Sequence, residues 1–237
     1  VTNLGTLSTG AGTVEYDGGA QNVLADDYFN LEIDQAGTKT AQGAVNVAGT
    51  LTVQSTDTPI YDIAATTTTV TGTSTIAGTL NINGSGVYDA NGDFAASGAI
   101  TMDGTARLQL SAAGSGVSNL GTLDDAAGTV EYDGGGQDVF SDDYFNLVID
   151  QSGNKTAQGT INVNGDFTAD NSAVYKPSTF GTIVTGATAF NNGAELSFAS
   201  GSSGVFDANG TFSDGVNITF HTSNGGNLRL QQSPNSF

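Results

Sequence analysis

The chain has no cysteine. Disulfide staples, cysteine-ligated zinc and iron–sulfur clusters are thereby excluded. It has only 5 Lys and Arg against 24 Asp and Glu, for a formal net charge of -19. Phosphate recognition needs clustered basic side chains, so no nucleic-acid partner is expected. The same charge opposes adsorption to anionic lipid. No apolar run approaches the ~18 residues of a membrane span, so no membrane insertion is expected. Helical periodicity is absent, and there are only 3 prolines. No signal peptide is present and the first residue is Val1, which leads to the expectation of a segment cut from, or matured out of, something longer.

What is abundant is glycine, 34 residues, with Thr, Ser, Asn and Ala. Gly and Asn tolerate positive φ and Thr suits a pleated surface, so the mixture favours many short strands joined by tight turns. The chain is also self-similar. NLGTL occurs at 3–7 and 119–123, GTVEYDGG at 12–19 and 128–135, DDYFNL at 26–31 and 142–147, and KTAQG at 39–43 and 155–159. All four pairs share one offset. GVYDANGDF at 86–94 answers GVFDANGTF at 204–212 with a slightly longer one. Two homologous repeat units are expected, 1–116 and 117–237.

A finer grain runs inside each unit. Glycine followed by apolar–polar–apolar recurs, as in GAVNV (43–47), GTLTV (49–53), GTLNI (78–82), GAITM (98–102) and GTINV (159–163). Period-2 alternation over so few residues is the mark of a short, half-buried strand. Several glycines fall six apart: Gly43 and Gly49, Gly72 and Gly78, Gly92 and Gly98, Gly159 and Gly165. Six residues hold a strand of three or four and a corner. An antiparallel sandwich has longer strands and wider turn spacing. The expectation is an all-β parallel β-solenoid with short strands and about 12 coils of roughly 20 residues. Leu51, Val53, Leu80, Ile82, Ile100, Met102, Leu108, Leu110, Ile161, Val163, Leu196, Phe198, Ile218 and Phe220 are the predicted inward set. Tyr16, Tyr28 and Phe29, echoed by Tyr132, Tyr144 and Phe145, are expected to fill a wider coil or cover a hairpin.

Residues 12–53, GTVEYDGGAQNVLADDYFNLEIDQAGTKTAQGAVNVAGTLTV, resemble the repeats of large bacterial surface proteins of the filamentous-haemagglutinin and autotransporter-adhesin type. The resemblance rests on Gly12, Tyr16, Gln21, Val23, Tyr28, Asn30, Leu31, Lys39, Thr40 and Gly49, and again on 128–167. The acid pairs Asp26–Asp27 and Asp142–Asp143 depart from it. It implies a right-handed parallel β-helix, secretion, an extracellular or cell-surface location, and a role in adhesion or surface filaments.

Candidate chemistry is sparse. Asp89-Ala90-Asn91-Gly92-Asp93 places oxygen ligands at alternate positions, like the start of an EF-hand loop. The twelfth position is Ile100 and the sister segment has Thr211 in place of the third acid, so a full EF-hand is excluded. Two readings remain: a partial calcium site through Asp89, Asn91 and Asp93, completed by a neighbouring coil, or an Asn-Gly corner turn. No other cofactor is expected. Paired carboxylates could serve polysaccharide cleavage in a β-helix groove. Lys39 and Lys155 are repeat twins, however, as are Arg107 and Arg229, whereas a catalytic site is normally unique. These basic residues are expected on the solvated face or beside a carboxylate. His221 is the single histidine and no G-x-S-x-G elbow accompanies it. Thr66–Thr69, followed by Val70-Thr71-Gly72-Thr73, gives an outward threonine row of the kind ice-binding solenoids use, but copy two lacks it and Thr is simply a good strand residue. The expected function is a non-enzymatic structural or adhesive segment. Its partners are copies of itself, stacked head to tail or in a longer tandem array, and surface glycans. The alternative is a polysaccharide-binding or polysaccharide-cleaving right-handed β-helix.

Overall fold

A computed structural model describes residues 2–5, 7, 10–124, 126–198, 202–214, 218–220 and 225–231. Its chain divides into two compact units, Val1–Ala112 with Gly116–Gly128, and Ala113–Ser115 with Thr129–Phe237. Each is a parallel β-solenoid, and among the described residues there is no helix.

In the first unit the strands fall on three faces. One stacks Thr13–Tyr16, Asn30–Ile33, Leu51–Val53, Ser74–Ile76 and the start of Phe94–Met102. The second stacks Gln21–Val23, Gly37–Ala41, Pro59–Asp62, Thr79–Ile82 and the end of Phe94–Met102. The third stacks Asp27–Tyr28, Val45–Val47, Thr67–Val70, Val87–Ala90 and Arg107–Leu110. Phe94–Met102 turns the corner without a break, so the first two faces form one 10-stranded sheet that also includes Val117–Leu123. The second unit repeats the plan, beginning with Thr129–Tyr132, Gln137–Val139 and Asp143–Tyr144.

Alternation sets which side chains enter. Leu31 stands over Leu51, and Leu80 over Ile100, all at 0–1% exposure. All the predicted inward residues with described side chains are buried; Ile218 and Phe220 are strand residues whose side chains lie outside the described set. Each such burial stabilises by ~1.5–3 kcal/mol. The six-residue glycine spacing has a direct cause. Glycines mark the corners, where successive coils nearly touch. A Cβ on Gly72 would lie 2.1 Å from the carbonyl oxygen of Gly49, and one on Gly98 would lie 1.8 Å from that of Gly78.

The coil count differs from expectation. The ladders give roughly ten turns, not about 12. Hydrogen-bonded residues one coil apart are separated by as few as 17 and as many as 25 positions. Corners absorb the difference, because strand length is fixed by the face while a corner accepts extra residues outward. The rings of Tyr16, Tyr28, Tyr132 and Tyr144 fill the interior rather than cover a hairpin.

Candidate functional site

All 7 tyrosines of the chain are buried. A tyrosine inside an apolar lumen needs a partner for its hydroxyl, and most of these have one on another strand. Tyr61 meets Thr68 at 2.8 Å, Tyr88 donates to Ser74 at 2.9 Å, and Tyr175 meets Thr182 at 2.7 Å. Thr68, Ser74 and Thr182 point inward against the usual preference of hydroxyl residues for the surface, and these bonds are the reason.

The long-repeat block contains a second device, present in both copies. Tyr28 donates to the Leu24 carbonyl at 2.8 Å, and the Leu24 amide donates to the Tyr16 hydroxyl at 3.1 Å. The two hydroxyls are 3.0 Å apart, so the Tyr16 proton is directed at Tyr28. Tyr132, Tyr144 and Phe140 repeat the loop at 3.1, 2.6 and 3.1 Å. Burial lifts the Tyr144 phenol well above its ordinary range and that of Tyr132 to about 12, so both are neutral donors at physiological pH.

The twin lysines correct the expectation of a solvated position. Lys39 and Lys155 are 0% exposed. Each points inward, stacked between a glutamine and a tyrosine: Gln21, Lys39, Tyr61 in one copy and Gln137, Lys155, Tyr175 in the other. Their ammonium groups cap a corner. Lys39 Nζ donates to the Gln35 carbonyl, and Lys155 Nζ donates to the Gln151 carbonyl at 3.1 Å. Gln35 and Gln151 have φ of 59° and 60°, a left-handed turn that aims the carbonyl inward. Desolvation lowers both amines, Lys39 against the opposing pull of Asp34 and Asp17, and Lys155 to about 8 against that of Asp150 and Asp133. A signal was present in the sequence: Lys39 shares the parity of Ala41, the inward parity of its strand.

Several acidic residues join one coil to the next. Asn46 donates to Asp27 at 2.7 Å and Asn162 to Asp143 at 2.6 Å, both between outward neighbours in register. At another corner of the second unit Asn171 donates to Asp150 at 2.7 Å and Asn192 to Asp170 at 2.6 Å. Asp26–Asp27 and Asp142–Asp143 therefore contribute to the scaffold. Glu15, Asp17, Glu32 and Asp34 gather on the first two coils; partial desolvation, then the neighbouring carboxylates, raise the Glu15 pKa.

Asp89 lies half-buried on the third face, in register with Thr69 and Gln109, while Asn91 and Asp93 are exposed at the following corner. Their main chain serves the ladder: Asn91 N donates to Val70 O, and Asp93 O accepts from Ser74 N, each at 2.8 Å. Among the described residues no group of three or more His, Asp or Glu side chains is arranged to hold a metal. His221 lies outside the described residues. Thr67 and Thr69 project beside Val87 and Asp89, so the threonine row does not extend to the next coil.

Two shallow grooves mark the first unit. One, of about 370 Å³, is lined by Tyr16, Ala20, Gln21, Asn22, Thr38 and Thr40. The other, of about 330 Å³, is lined by Asp27, Tyr28, Asn46, Val47, Ala48, Thr69 and Thr71. Neither lining contains two carboxylates. Among the described residues the exposed aromatic ring is Phe180, at 37%. No known protein family, curated protein or solved structure matches the chain.

Proposed function

We propose that the chain is a non-enzymatic structural or adhesive segment of an extracellular or cell-surface filament protein, of the kind its repeats resemble. The observation that carries this reading is the equivalence of the two copies. Tyrosine loop, lysine cap and Asp–Asn bond occur twice at equivalent positions, whereas a catalytic site is normally unique. The inward tyrosine loops and lysine caps brace single coils, and the outward Asp–Asn bonds tie one coil to the next. Outward surfaces are Thr, Asn and Asp, suited to solvation and to weak contacts that gain strength only in number.

The second reading is polysaccharide binding or cleavage. Sugar sites of that kind combine converging carboxylates with exposed rings, and a calcium ion at Asp89, Asn91 and Asp93 would belong to it. The test is incubation with a panel of acidic and neutral polysaccharides, followed by viscosity and end-group measurement, with and without calcium. Unchanged chain length, with binding only when many copies are displayed on a bead, is the expected result. Release of oligosaccharides, lost on substituting a carboxylate of one copy alone, would overturn it.

A further inference from the structure

We propose that Asn192 is a covalent modification site, at which the Asn192–Gly193 pair closes on itself, releases ammonia and leaves an acid beside Asp170. Asparagine is thermolabile, most of all before glycine, which has no Cβ to shield its nitrogen from the preceding carboxamide. Asn-Gly pairs occur at 83–84, 91–92, 164–165, 192–193, 209–210 and 224–225, the last with its asparagine outside the described residues. The attacking atom is the glycine nitrogen, so the fold decides which pair reacts.

Reaction needs a free glycine N–H, room for the backbone to reshape, and water. The Gly84 N–H donates to the Asp103 carboxylate, and the Gly165 N–H donates to the Phe145 carbonyl at 2.7 Å. Gly92 and Gly210 sit in closed corners. A Cβ on them would lie 2.2 Å from the Gly72 carbonyl oxygen and 2.1 Å from that of Gly186. Gly193 differs on every count. Its N–H donates to no acceptor among the described residues. The nearest atom to a Cβ there is the Ser172 hydroxyl oxygen, at 3.1 Å on a short rotatable side chain. Asn192 and Gly193 are both exposed. Bonds on either side hold the turn in place: the Asn192 carbonyl accepts from Ser172 N at 3.1 Å, and Ala194 N donates to the Asn191 carbonyl at 2.8 Å.

In the first step the Gly193 nitrogen bonds to Asn192 Cγ and gives up its proton. The carboxamide nitrogen leaves with that proton as ammonia. Water then opens the ring, at Cγ to give aspartate or at the main-chain carbonyl to give isoaspartate. Either product has lost the amide donor and gained a carboxylate at the corner. Asn192 Nδ2 donates to Asp170 Oδ1 at 2.6 Å, and the Asn171 N–H holds the same oxygen at 2.7 Å. A bond that joins two coils thus becomes a contact between two carboxylates, and like charges placed opposite each other repel. The reaction needs no partner but water, so the inference stands apart from what the outer surface binds.

Peptide-mass mapping of the full chain, incubated folded and urea-unfolded at mildly alkaline pH, reads the conversion as a gain of about 1 Da per site. In the folded chain Asn192 is expected to convert on the order of tenfold faster than Asn83, Asn91, Asn164 or Asn209, and in the unfolded chain to lose that lead. Asn192→Asp is expected to lower the folded-to-unfolded ratio about fivefold in urea denaturation, and adding Asp170→Asn to recover it. A folded chain in which another of these pairs converts first, or in which all convert alike, would overturn the site. Unchanged stability in Asn192→Asp, or a loss that Asp170→Asn does not recover, would overturn its effect on the joint between coils.

Discussion

Thr188 is buried at 0% exposure, and its hydroxyl is the one described buried side-chain polar atom without a partner. It stands in register between Phe167 and Phe212. A hydroxyl left unbonded there costs about 1 kcal/mol. Thr188→Val is therefore expected to stabilise the protein by about that amount, read as a shift in the urea midpoint at constant slope. The buried lysines make a pH prediction. The Lys155 amine titrates near 8 in the folded chain against an ordinary 10.5. Between those values the unfolded chain holds a proton that the folded chain does not, so stability rises with pH across that window. The Lys39 amine, also lowered by desolvation, acts in the same direction. The tyrosines act oppositely. Burial raises Tyr61, Tyr88, Tyr132, Tyr144 and Tyr175 above the ordinary 10, so the stability they contribute is present below pH 10 and lost above it. Denaturation from pH 7 to 11 is expected to show stability climbing from about 8, peaking near 10, and then falling. Lys155→Met is expected to remove about 2 kcal/mol of the climb and leave the fall. A climb unchanged in that variant would place the proton elsewhere.

Corners and strands answer to different rules. At Gly98 an added Cβ would meet the Gly78 carbonyl at 1.8 Å, so Gly98→Ala must displace a corner that supports coils on both sides. A loss of more than about 2 kcal/mol is expected. At Gly136 the nearest atom to an added Cβ is 3.9 Å away, and the first copy carries Ala20 there. Gly136→Ala is expected to stay within about 0.5 kcal/mol, and thermal melts of the two variants check the contrast. The strands were legible in the sequence because alternation and burial are one property: Leu80 and Ile82 enter while Asn81 stays out. The corners were legible as glycines but not in length, since an extra residue there changes no pattern of apolar positions. That is why the coil count fell short of the one read from spacing. The polar interior was hidden for another reason. Lys39, Thr68 and Ser74 are surface residue types, and only parity with buried neighbours marks them as inward. The partners of Thr68 and Ser74, Tyr61 and Tyr88, sit on other strands across a corner, and apolar alternation carries no record of that pairing.

At the level of the whole molecule, the coupling of each coil to the next is what the sequence repeats. Backbone ladders, glycine corners and Asp–Asn bonds all join nearest neighbours along the stack, so each unit behaves as a one-dimensional array. An array of this kind carries load along its backbone ladders, and its surface is free to be uniform. The proposed role as a structural or adhesive segment follows from that division: chemistry inside for cohesion, solvated Thr, Asn and Asp outside for contact. The acidic surface adds an expectation for assembly. Association of copies is predicted to strengthen as salt rises from about 0.02 to 0.5 M, because screening relieves repulsion between chains of net charge -19; light scattering across that range checks it. The most direct test of the central claim is to stretch the chain between its ends in a single-molecule force experiment. The account predicts a series of resisting steps, each releasing one coil of about 20 residues, or roughly 70 Å of contour. A single low-force opening of an entire unit, with no coil-sized steps, would contradict it.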